Sequence, residues 1–99
     1  MDAYPQALRS AWADLYARKC SAVWRCVDAR RTLAYACLAG DRAGITRAQE
    51  ALDRAVVEKD ALLAQCLAAH DALREAERAF YGVVSVSYTH LRAHETRED

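Results

Sequence analysis

The residues of this 99-residue chain that could do chemistry are its cysteines, histidines and lysines. Cys66 and His70 are four positions apart and would share one face of a helix, where Cys20 could approach them from a neighbouring helix. Thiolate and imidazole are ligands that zinc prefers. A histidine beside an apolar stripe is more often a half-buried packing residue. We therefore predict no metal site and no cofactor, and keep a small thiol or zinc site at Cys66 and His70 as an alternative.

The only two lysines, Lys19 and Lys59, fall within apolar stripes of the sequence. If the chain folds back on itself, Lys19 lies across from Cys66 and Lys59 across from Cys26. An ammonium group beside a thiol can stabilise the reactive thiolate. Because neither thiol has a general base or an oxyanion donor beside it in the sequence, we expect each lysine to extend to solvent or to a neighbouring carboxylate instead.

Motifs of known catalytic sites are missing from the sequence. It contains no glycine-rich phosphate loop, no nucleophile elbow and no HExxH pattern, and its acidic residues are scattered. We predict that the protein is not an enzyme and has no catalytic residue.

Charge gives little indication of a nucleic-acid or membrane partner. The chain has 14 basic and 14 acidic residues, so its formal net charge is zero. Arg25, Arg30 and Arg31 form a small basic patch, but Asp28 lies among them, and phosphate binding favours uninterrupted positive charge. We do not expect nucleic acid as a partner, although a nucleic-acid-associated helical protein remains an alternative function.

The compartment follows from the amino terminus and the cysteines. MDAYPQALRS has no basic segment followed by an apolar run, as a signal peptide would, and the longest uncharged stretch is too short to span a bilayer as a helix. The four cysteines have no CxxC spacing and are expected to be reduced. We predict a soluble, cytoplasmic protein without a membrane partner. The excess of arginine over lysine suggests GC-rich coding DNA and a bacterial or phage source.

The composition predicts an all-α fold. Alanine occupies 22 of the 99 positions, whereas proline occurs only at Pro5 and glycine only at Gly40, Gly44 and Gly82. We predict a helix over about 5–39, a turn over about 40–44 and a second helix over about 45–81, ended by Gly82 and the β-branched residues after it. Asp41 or Thr46 could cap the second helix, which therefore starts between 42 and 47.

Apolar residues repeat along both helices in alternating steps of three and four, the 3.5-residue period of a coiled coil. We name these two stripes the seams. The first comprises Leu8, Trp12, Leu15, Lys19, Ala22, Cys26, Ala29, Leu33 and Ala36. The second comprises Ile45, Ala48, Leu52, Ala55, Lys59, Leu62, Cys66, Ala69, Leu73, Ala76 and Phe80. A short turn makes the helices antiparallel and pairs Leu33 with Leu52 and Trp12 with Leu73. The predicted fold is a two-helix coiled-coil hairpin, which could form half of a four-helix bundle.

The first helix has more apolar surface than one partner helix can cover. Beside its seam we predict an interaction face formed by Tyr16, Cys20, Trp24, Val27, Tyr35 and Leu38. Self-association, another helical protein, or a third helix from a longer native chain could cover this face. We predict a non-enzymatic structural or protein–protein interaction module, such as a small scaffold, chaperone or assembly factor.

Residues 86–96 read VSYTHLRAHET, which resembles the conceptual translation of a transposon-end sequencing adapter. The resemblance is contiguous over these eleven residues and does not extend into residues 1–84. It implies that residues 85–99 are not native protein and that the native sequence continues differently after about Val84. No resemblance to a known family is seen in residues 1–84.

Overall fold

Two helices and one tight turn make up the fold. The computed structural model describes the backbone of residues 3–97 and the side chains of residues 3–82. Helix α1 spans Gln6–Ala39 and helix α2 spans Arg42–Arg97, and the two pack side by side. The predicted all-α helical hairpin is confirmed. The molecule measures 80 × 27 × 14 Å, so it is about one helix thick.

The carboxyl end of α1 is formed by glycine. Gly40 has φ 68°, the left-handed conformation in which a Cβ atom would be strained. Its N–H donates to the Cys37 carbonyl at 3.2 Å, and the Asp41 N–H donates to the Ala36 carbonyl at 3.1 Å. These two bonds satisfy two of the four carbonyl groups that a helix end leaves unpaired, and they hold the chain in its reversal.

The amino end of α2 is capped by Asp41. Its carboxylate oxygen Oδ1 accepts a hydrogen bond from the Gly44 N–H at 3.0 Å. Thr46 instead donates its hydroxyl to the Arg42 carbonyl at 3.1 Å, one turn back in the same helix. Of the two caps left open by the sequence, Asp41 is therefore the one used. A side chain at Gly44 would collide with this carboxylate, which explains the small residue there.

The predicted end of α2 near residue 81 is wrong, because the helix continues through Gly82 to Arg97. A glycine ends a helix when it adopts the left-handed conformation, and Gly40 is the glycine with positive φ. Inside a helix, a single glycine costs only about 1 kcal/mol relative to alanine, which neighbouring turns can offset. Residues 83–99, including the adapter-like segment, lie outside the residues whose side chains are described.

Among residues 3–82, the buried ones all belong to the two predicted seams. They are Ala22 and Cys26 on α1, and Ala48, Ala55, Leu62, Cys66 and Leu73 on α2. Most of these side chains are small, and none of them is large and completely buried. Small seam residues let the two helices approach closely, but they bury little apolar surface, so the interior of the hairpin is thin.

Contacts between the helices agree with the predicted register to within a helical turn. The Arg25 guanidinium lies 2.5 Å from the Glu58 carboxylate in the middle of the hairpin. At the end of the hairpin opposite the turn, which we name the open end, the ring centroids of Tyr4 and Phe80 are 5.5 Å apart. Residues near the start of α1 therefore face residues near position 80.

Candidate interaction face

The hairpin has two sides, and the seam register decides which side chains lie on each. Because the helices are antiparallel, side chains that are displaced from their seam in the same rotational direction on α1 and on α2 lie on the same side of the hairpin. The contact between the Trp12 and His70 rings, 5.9 Å apart, marks one side. The contact between Arg25 and Glu58 marks the other. Every other residue is placed by its position relative to these contacts and the 3.5-residue period.

The first side, which we name the apolar face, carries aliphatic and aromatic residues from both helices. On α1 it comprises Tyr16, Cys20, Val23 and Val27, and on α2 it comprises Val56, Leu63, Leu67 and His70. Leu63 is 41% exposed and Leu67 is 57% exposed. The sequence-based prediction included only the α1 half of this face. The structure adds the α2 half, since it shows that both halves lie on the same side of the hairpin.

An aromatic cluster borders the apolar face toward the open end. The Trp12 ring packs between Tyr16, at 5.4 Å, and His70, at 5.9 Å between centroids. The Lys19 ammonium lies 4.3 Å from the centre of the Tyr16 ring, a cation–π contact. His70 is thus a packing residue here. Within residues 3–82, no group of three or more histidine, cysteine or acidic side chains could hold a metal ion.

The second lysine contacts a carboxylate, as the sequence led us to expect. The Lys59 ammonium lies 3.4 Å from the carboxylate of Asp60, the next residue of α2. The thiols of Cys26 and Cys66 are buried in the interior, Cys20 is half-buried and Cys37 is exposed, and all four are free. With the ammonium groups directed to a ring and a carboxylate, no observed contact supports the thiolate hypothesis.

The opposite side, which we name the charged face, carries short and charged side chains. Arg18, Ser21 and Arg25 of α1 line a shallow depression together with Glu58 of α2. A second depression, farther toward the turn, is lined by Arg25, Asp28, Ala29, Ala51, Arg54, Ala55 and Glu58. The Arg25–Glu58 pair that bridges the helices there is about half exposed on both partners. These features are typical of a solvated surface.

The six residues predicted for the interaction face do not all lie together. Tyr16, Cys20 and Val27 belong to the apolar face. Trp24 and Leu38 point away from α2, on the back of α1, and Leu38 is 84% exposed. Tyr35 lies toward the charged face, where it lines a depression near the turn with Thr32 and Arg47.

The reason for this scatter is the helical pitch. Successive steps of four residues overshoot a turn of 3.6 residues, so a stripe built from them winds around the helix. Trp24, Tyr35 and Leu38 therefore do not share one side of the hairpin with Tyr16, Cys20 and Val27, and an interaction role for these six residues stays a prediction.

The open end of the hairpin holds a cluster that the sequence analysis missed. The Tyr4 hydroxyl donates to the Glu77 carboxylate at 2.6 Å and accepts from the Arg9 guanidinium at 3.0 Å. Its ring also packs edge-to-face against Phe80 and Tyr81. Extending the predicted register to position 4 would have placed Tyr4 opposite residues 80 and 81.

Tyr4 and Arg9, which are hydrogen-bonded to each other in this cluster, both have shifted pKa values. The hydrogen bond to Glu77 raises the pKa of Tyr4 above its usual value, because ionisation would remove the donated proton and face the phenolate with a carboxylate. The hydrogen bond from Arg9 acts in the opposite direction and is weaker. The bond to Tyr4 raises the pKa of Arg9, which remains charged. The cluster ties the start of the chain to α2 without forming a reactive site.

Comparisons with known proteins found no match. No family model, no curated protein and no solved structure matches this chain. In the part of the chain that the structure describes, no helix is both long enough and apolar enough to cross a membrane. A functional proposal must therefore rest on the geometry of the two faces.

Proposed function

We propose that this chain is a non-enzymatic structural or interaction module that binds partner helices through its apolar face. The observation that carries the proposal is the difference between the two sides of the hairpin. Of the large exposed apolar side chains, Tyr16, Leu63 and Leu67 share one side with Val23, whereas the other side is lined mainly by arginine, glutamate, serine and alanine. Other exposed apolar side chains are isolated on the outward sides of the helices, as are Trp24, Leu38 and Val57. Contiguous exposed apolar surface of this kind marks an interaction site.

The thin interior is a second reason to propose a partner. Stable domains pack at least two layers of secondary structure around a core, and small helical assemblies usually need a partner, a metal or a disulfide. The hairpin measures 14 Å in its thinnest direction, and its four cysteines are free. Covering the apolar face would add the missing layer, at roughly 25 cal/mol for each Å² of apolar surface removed from water.

The shape of the apolar face favours helices as its occupants. The apolar face consists of two parallel rows of side chains, one on α1 and one on α2. Side-chain ridges of another helix can pack between such rows at a small crossing angle. The partner is therefore a second copy of this hairpin or another helical protein.

We further propose the cytoplasm as the compartment and an adapter origin for residues 85–99. Four free thiols fit a reducing compartment. The adapter proposal rests on the segment VSYTHLRAHET, and sequencing the DNA that flanks the coding region tests it. The same reading would show whether the source is bacterial or phage.

Site-specific photo-crosslinking in cells that express the full chain tests the interaction proposal. A photoreactive amino acid replaces Leu67, which lies on the apolar face. As the matched control, it replaces the next residue, Ala68, which lies toward the charged face. Both positions are exposed on α2. We expect covalent adducts to a helical protein, whether a second copy or another chain, from position 67 and few from position 68.

Leu63→Lys, combined with the probe at position 67, should remove these adducts, because a lysine ammonium in an apolar interface carries a desolvation cost. Equal labelling from positions 67 and 68, or no adducts from position 67, would contradict the proposed function.

A further inference from the structure

We draw no further inference here: the strongest candidate, the apolar face between the turn and the open end with its exposed Tyr16, Leu63 and Leu67, already belongs to the proposed interaction site, and nothing in the structure shows what covers it.

Discussion

The apolar face and the charged face are built from the same two helices at the same levels, yet their side chains differ in kind. On the charged face, a half-exposed Arg25–Glu58 pair bridges α1 and α2. On the apolar face, leucine, valine and aromatic side chains reach into solvent, and the polar contact that crosses the hairpin on that side, from Tyr4 to Glu77, lies at the end of the hairpin opposite the turn. The seams explain why the chain forms a hairpin. The difference between the two sides is the basis for the proposed interaction site.

The largest expected effect is on the free energy of unfolding, and it should differ between two neighbouring positions, one in the interior and one on the apolar face. Leu62 is 5% exposed and Leu63 is 41% exposed. Leu62→Ala should lower the free energy of unfolding by about 2–4 kcal/mol, because it leaves a cavity in a thin core. Leu63→Ala should lower it by less than half as much in dilute solution. Urea unfolding followed by circular dichroism measures both, and equal losses would contradict the assignment of the two residues to different surfaces.

The turn that holds both faces in place gives the next largest effect. Gly40→Ala should destabilise the hairpin by about 1–2 kcal/mol, since alanine is strained at φ 68°. Gly82→Ala is the matched control, because a Cβ there meets no atom within 4 Å. This control should stabilise α2 by up to about 1 kcal/mol. Thermal unfolding of both variants checks the signs, and a stabilising Gly40→Ala would refute the proposed role of the turn.

The charged face should contribute little to stability. A double-mutant cycle with Arg25→Ala and Glu58→Ala should give a coupling energy below about 1 kcal/mol, because both side chains are half exposed and solvent screens them. The coupling should shrink further as salt is raised. A coupling that is larger, or insensitive to salt, would mean that this face is more than a solvated surface.

The smallest effect concerns the open end, where both faces meet the Tyr4 cluster. The pKa of Tyr4 is raised in the folded state by its hydrogen bond to Glu77. The stabilisation from this bond is therefore fully present below the usual tyrosine pKa of about 10, and it is lost as the pH rises through the higher folded-state pKa.

Tyr4→Phe removes the hydroxyl and keeps the ring. The difference in unfolding free energy between the original chain and Tyr4→Phe should be constant near neutral pH and should decrease above about pH 10. Urea unfolding at a series of pH values measures it. A difference that stays constant to about pH 11 would show that the Tyr4–Glu77 bond does not form in solution.

Much of the fold could be predicted because periodicity and breakers are local signals. The positions of Gly40 and the seams depend on neighbouring residues, and every buried residue among those with described side chains belongs to a predicted seam. The end of α2 could not be predicted in this way, because Gly82 favours termination only if tertiary structure leaves it free to adopt positive φ. The predicted set of interaction residues was incomplete for a related reason. Its α2 half, including Leu63 and Leu67, is recognised only when both helices are placed side by side.

The most direct test of the apolar face compares two lysine substitutions on α2 by sedimentation velocity of the full chain. Leu63→Lys adds a charge to the apolar face, whereas Gln65→Lys adds the same charge to an exposed position two residues away, toward the charged face. We predict that the original chain and Gln65→Lys sediment as dimers, and that Leu63→Lys sediments as a monomer with unchanged helix content. Dimers of all three chains would contradict the apolar face as the interface, and monomers of all three would overturn a second copy as its partner.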